Sequence, residues 1–71
     1  MNEDELFESN PGILGGELIF KGTRIPVDVL FENLASGAPL ESVLEDFPGI
    51  GRERAEAAIL LAARNLHRDA A

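Results

Sequence analysis

The sequence predicts a mainly α domain: an N-terminal β-hairpin followed by three helices in a helix-turn-helix-like order. Three observations carry that reading. Apolar residues recur at helical spacing in three successive stretches after Pro26. Glycine and proline punctuate the boundaries between those stretches. A run of β-branched and aromatic residues around Lys21-Gly22 precedes them. The chain of 71 residues makes one small domain. A core of that size contributes about 3–5 kcal/mol of net stability, so a second copy or a partner is the expected supplement.

Met1 to Pro11 reads as an acidic arm (residues 1–11) with Leu6 and Phe7 as anchor points, and the domain proper covers 12–71. Asn10-Pro11-Gly12 is turn chemistry, because asparagine tolerates unusual backbone angles, proline presets φ and glycine accepts φ > 0. Ile13-Leu14 is a short apolar run before a second turn at Gly15-Gly16. Leu18-Ile19-Phe20 and Thr23-Arg24-Ile25 flank Lys21-Gly22 and predict a tight hairpin over about 18–25. Two strands alone are marginal in water, so this hairpin must pack on the helices or pair with another chain.

Pro26 suits a helix start, where its missing N–H costs nothing. Val27, Leu30, Phe31 and Leu34 then share one face, predicting a helix over about 27–36 that Gly37 terminates. Asp28 complements the positive end of its dipole. Leu40, Val43, Leu44 and Phe47 repeat the spacing over about 39–47, closed by Pro48-Gly49. Gly51 is a tolerable cap for a third helix over about 52–67. Its stripe of Ala55, Ala58, Ile59, Ala62 and Leu66 is widened by Leu60, Leu61 and Ala63. A stripe wider than one partner needs points to burial against two surfaces, and small alanines let another backbone approach closely.

Charge is unevenly placed within a net −7. Residues 1–20 carry five acids and no bases, residues 27–49 five acids and no bases, and residues 50–71 four arginines against three acids. This balance disfavours non-specific nucleic-acid binding and suits a basic protein partner. Without cysteine there is no disulfide or thiolate metal site, and the single histidine, His67, cannot build a zinc cluster. No cofactor is expected. No apolar run reaches the ~18–20 residues of a membrane span. The acidic start is the opposite of a secretory n-region, so a cytoplasmic protein is expected. Nor is an enzyme expected. His67 suits a helix C-terminus, Glu45 and Asp46 point apart on their helix, and Gly15-Gly16 lacks the spacing of a phosphate loop.

Gly15-Gly16, Lys21-Gly22-Thr23-Arg24-Ile25-Pro26-Val27, the helix to Ala35, Gly37, the stretch from Leu40 to Phe47-Pro48 and the helix from Arg52 to Leu66 together resemble the bacterial family called domain of unknown function 433. The resemblance covers about residues 10–67, with the motifs in order and at matching spacing. Leu18 stands where many relatives have proline, and Gly51 where serine or threonine caps the third helix, a change of only about a few tenths of a kcal/mol. The resemblance implies a helix-turn-helix-related fold. It also implies similarity to VapB-type antitoxins, which are encoded beside a small PIN-like nuclease toxin. The expected function is therefore that of a type II antitoxin, neutralising such a nuclease by protein–protein binding and autoregulating transcription. The alternatives are a stand-alone DNA-binding regulator and a dimeric interaction module without DNA binding.

Four groups of residues are candidates for that work. Arg52 and Arg54 open the third helix, where a helix-turn-helix places its base readers and phosphate contacts. Glu53 and Glu56 beside them repel phosphate, and the favoured alternative is a solvated face with an Arg52–Glu56 pair. Lys21 and Arg24 present a basic edge to DNA or a partner. The favoured alternative has Arg24 tied to Asp28 while Thr23 satisfies turn backbone. Glu3, Asp4, Glu5, Leu6 and Phe7 offer acids and apolar anchors to a basic nuclease site, or form a solubilising tail. Leu18, Ile19, Phe20, Gly22, Thr23 and Ile25 form the hairpin, expected to pair or exchange between the chains of a homodimer.

Overall fold

Asn2 begins the first regular element. Its side chain accepts from the Glu5 N–H at 3.0 Å while the Glu5 carboxylate accepts from the Asn2 N–H at 3.3 Å, a reciprocal cap that starts the one-turn helix α1 (Glu3–Leu6). A computed structural model describes residues 2–70; Met1 and Ala71, the outer limits of the expected arm and domain, lie outside the described residues. After α1 come strands β1 (Phe7–Ser9) and β2 (Leu18–Phe20), then helices α2 (Val27–Ala35), α3 (Leu40–Asp46) and α4 (Arg52–Ala70). The fold is mainly α with an N-terminal antiparallel hairpin, as the sequence predicts.

The hairpin's partner strand differs from the expected one. β2 pairs with β1, matching Phe7 to Phe20, Glu8 to Ile19 and Ser9 to Leu18. Residues 23–25 form no strand, and the return limb makes one isolated bridge, Ile19 to Pro26. The physical reason is Pro26, which has no N–H to donate and begins the cap of α2 with φ −60° and ψ 141°. The turn at Lys21-Gly22 does form. Thr23 N–H donates to the Phe20 carbonyl at 3.0 Å, and Gly22 takes φ +78°. The Thr23 hydroxyl donates to the Phe20 carbonyl at 2.7 Å and accepts from the Ile25 N–H at 3.0 Å, satisfying turn backbone as expected.

The acidic arm is therefore part of the fold. Leu6 is fully buried, and the Phe7 ring meets Phe20 with centroids 5.8 Å apart, tilted by 59°. Between the strands, Asn10 receives the N–H groups of Gly12 and Ile13 on its side chain and carbonyl, both at 2.8 Å. A short 3-10 turn (Leu14–Gly16) returns the chain to β2, and the Ser9 hydroxyl donates to the Gly16 carbonyl.

α2 ends in a full Schellman arrangement. Gly37 N–H donates to the Leu34 carbonyl and Ala38 N–H to the Asn33 carbonyl, each at 3.1 Å, with Gly37 at φ +99°. α3 ends at Phe47 and a tight turn follows, Ile50 N–H donating to the Phe47 carbonyl at 3.1 Å. Gly49 in that turn lies against Ile25: a Cβ there would stand 3.1 Å from its Cδ1. Gly51 enters α4 at φ +79°. Phe20, Val27, Leu30, Val43, Ile50, Ala55 and Ala58 make the buried core, to which every element from β2 to α4 contributes. Leu60 on the outer face of α4 and Leu66 near its end are 65% and 70% exposed.

Candidate functional site

Arg54 sits at the first turn of α4, but its guanidinium turns back along the body. Nε donates to the Ile50 carbonyl at 3.0 Å, Nη1 to Lys21 at 2.6 Å and Nη2 to Gly49 at 2.6 Å. The guanidinium carbon also lies 5.8 Å from the Phe20 ring centroid, within cation–π range. One side chain thus joins the β2–α2 turn, the α3–α4 turn and the start of α4. Arg52 is engaged as well, with Glu41 of α3 at 2.9 Å and Glu56 at 3.6 Å. Its hydrogen bond with Glu41 raises the Arg52 pKa, while the Glu41 carboxyl is held below its usual range by its own backbone N–H and then by Arg52. The two arginines that were candidates for reading DNA are held within the molecule, one by carbonyls and one by carboxylates, and the favoured Arg52–Glu56 pair forms.

The remaining basic candidates are dispersed. Lys21 Nζ donates to the Asp4 carbonyl at 3.1 Å, pinning the turn to α1. Arg24 is exposed, and the expected tie to Asp28 does not form, since the ion pairs among the described residues both belong to Arg52. The hairpin residues Ile19 and Phe20 are fully buried in their own chain, Thr23 and Ile25 are half-buried, and Gly22 and Leu18 are exposed.

What the fold does assemble is a groove of about 460 Å³ between α1–β1, the start of α2 and the middle of α4. Phe7, Leu18, Val27, Phe31, Ala58, Leu61 and Ala62 supply its apolar lining. Glu3, Asp4 and Glu8 stand along it with Ser9 and Asn65, and among the described residues no basic side chain lines it. Glu8 is fixed there because its carboxylate accepts from the Gly22 N–H at 2.7 Å. Of the expected partner-binding residues, the groove brings together Glu3, Asp4 and Phe7. Glu5 is occupied by the α1 cap, and Leu6 is buried and so no anchor for a partner. Val27 and Phe31 belong to the predicted face of α2, and Leu61 and Ala62 were legible in the wide stripe of α4. Glu8 and Asn65 carried no signal in the sequence.

The turn at Lys21-Gly22 and the clamp fall within a recognised pattern. Residues 8–62 match the family described as "Protein of unknown function (DUF433)". The chain belongs to this family. The DUF433 match contains Lys21, Gly49, Ile50 and Arg54, the whole of the carbonyl clamp, whereas Glu3, Asp4 and Phe7 of the groove precede it. An uncharacterized protein, y4eO, of Sinorhizobium fredii (strain NBRC 101917 / NGR234) is 36% identical over 61 residues, covering 86% of this chain and 28% of its own length. The DUF433 domain thus spans little more than a quarter of that curated relative. No solved structure matches the chain.

Proposed function

We propose that this DUF433 domain is a non-catalytic, cytoplasmic protein-binding module that acts as an antitoxin, seating a basic, amphipathic segment of a small nuclease toxin in its acid-rimmed groove. The observation that carries the reading is the groove itself. Its volume of about 460 Å³ has an apolar lining beside Glu3, Asp4 and Glu8, with no base among the described residues. An apolar floor rewards burial of aliphatic side chains, and the acids select a cationic flank and steer its approach. The net charge of −7 adds a long-range field of the same sign. A nuclease surface that binds the phosphates of RNA is the complementary object. The competing DNA-regulator reading loses its two readers, because Arg52 and Arg54 already have partners.

The test is complex formation. The purified chain, mixed with the product of the neighbouring reading frame, is expected to co-elute on size exclusion as a stoichiometric complex and to abolish nuclease activity. Leu61→Lys, which puts a long cationic chain into the groove, is expected to leave the fold intact and to weaken the complex. Separate elution of the two wild-type proteins overturns the antitoxin assignment. A complex indifferent to Leu61→Lys and Asp4→Lys together overturns the groove as its seat.

A further inference from the structure

The face of α4 turned away from the core carries a stripe that neither the clamp nor the groove explains. Glu53, Ala57, Leu60 and Arg64 follow one another at spacings of four, three and four residues, and so line up along one side of the helix. Leu60, 65% exposed, is the large apolar side chain of the stripe. With Ala57, Leu61 and Arg64 it bounds a shallow depression of about 180 Å³. Glu53 and Arg64 are exposed, and neither joins the ion pairs found among the described residues. In chain order the stripe reads acid, small, large, base.

That order is its own complement when reversed. In an antiparallel pair of such helices, Leu60 of one copy lies over Ala57 of the other, and Glu53 of one faces Arg64 of the other. A two-fold axis makes both contacts twice. We propose that the domain forms a homodimer through this outer face of α4, the occupant of the stripe being a second copy of the same chain. Charge complementarity selects the second copy, because the reversed stripe meets each charge with its opposite and each side-chain volume with its counterpart. This is an isologous contact, in which one patch serves both subunits. Leu61 alone borders both the stripe and the groove, so the groove stays open in the dimer. The inference does not rest on the antitoxin reading.

The contact is short, about 16 Å of helix between Glu53 and Arg64 at 1.5 Å per residue. It belongs to the small, weak class of interfaces. Sedimentation velocity of the full chain across a concentration series tests it by charge reversal. The wild type is expected to pass from monomer to dimer within that range. Glu53→Arg or Arg64→Glu alone sets like charges opposite each other twice and is expected to weaken the dimer about tenfold. The double variant restores opposite charges in swapped positions and is expected to recover the wild-type constant. Because the double variant retains whatever either change does to α4 itself, recovery reports the intermolecular pairing, and circular dichroism checks that each variant is folded. A chain that stays monomeric at several hundred micromolar overturns the proposal, as does a dimer whose constant ignores the single reversals or is not restored by the double.

Discussion

The Nη1 of Arg54 donates to the carbonyl oxygen of Lys21 at 2.6 Å, across 33 residues of sequence. The same guanidinium reaches Gly49 and Ile50, so the turn before α2 and the turn before α4 are fixed to each other by one side chain. Arginine suits this position because its planar fork presents several donors in a rigid arrangement, and its face is free to stack on Phe20.

Removing the clamp is therefore expected to loosen both turns. Arg54→Met keeps much of the aliphatic stem but leaves three carbonyls without their donor. A loss of about 2 kcal/mol is expected from charged hydrogen bonds of this kind, measured by urea unfolding. Arg54→Lys is expected to recover only part, since an ammonium lacks the fork. Unchanged stability in both variants overturns the clamp.

Leu6 gives a second test, of the N-terminal segment as part of the fold. It is fully buried, and Leu6→Ala is expected to cost about 3 kcal/mol, enough to unfold much of a domain this small. A solubilising tail would tolerate the change with no shift in the urea midpoint.

These two residues also mark where the sequence is legible and where it is not. The three helices follow from apolar spacing. Their ends follow from residues with special backbone geometry, Gly37 and the Pro48-Gly49 pair being read correctly from chemistry alone. Leu6 and Phe7 stand out as apolar residues in an acidic setting, yet their destination does not. β1 is three residues long, too short for an alternating pattern, and its pairing is settled by contact with β2. Arg54 is illegible for a different reason: its acceptors are main-chain carbonyls, which every residue possesses and no motif records. The groove is legible only in part, since Leu61 and Ala62 widen an apolar stripe while Glu8 is one acid among thirteen acidic residues.

Gly37 supplies a third prediction. A Cβ there would meet nothing within 4 Å, so any cost of Gly37→Ala comes from the backbone, held at φ +99°. About 1 kcal/mol of destabilisation is expected by thermal or urea unfolding. A neutral or stabilising substitution would mean that the Schellman end of α2 is not maintained in solution.

The Glu41–Arg52 pair predicts a response to acid. The folded state holds the Glu41 carboxyl below its usual value, first through its own backbone N–H and then through Arg52. A depressed folded pKa adds stability above the unfolded value of about 4.3, and that stability is lost as pH falls through the lower folded value. Wild type is therefore expected to lose its small advantage over Glu41→Gln on acidification below about pH 4. Both side chains are at least half exposed, so about 1 M salt is expected to shrink the difference at neutral pH. An advantage that grows on acidification contradicts the sign.

The arrangement of β2 has a bearing on aggregation. A two-stranded sheet ordinarily offers two open edges on which foreign strands can template. Here β2 gives one side to β1 and the other to the bridge at Pro26, whose ring has no N–H to extend a ladder. The edge left over is the outer side of Phe7–Ser9, three residues with a glutamate at their centre. A small, acidic, proline-stopped sheet is a poor seed for fibrils.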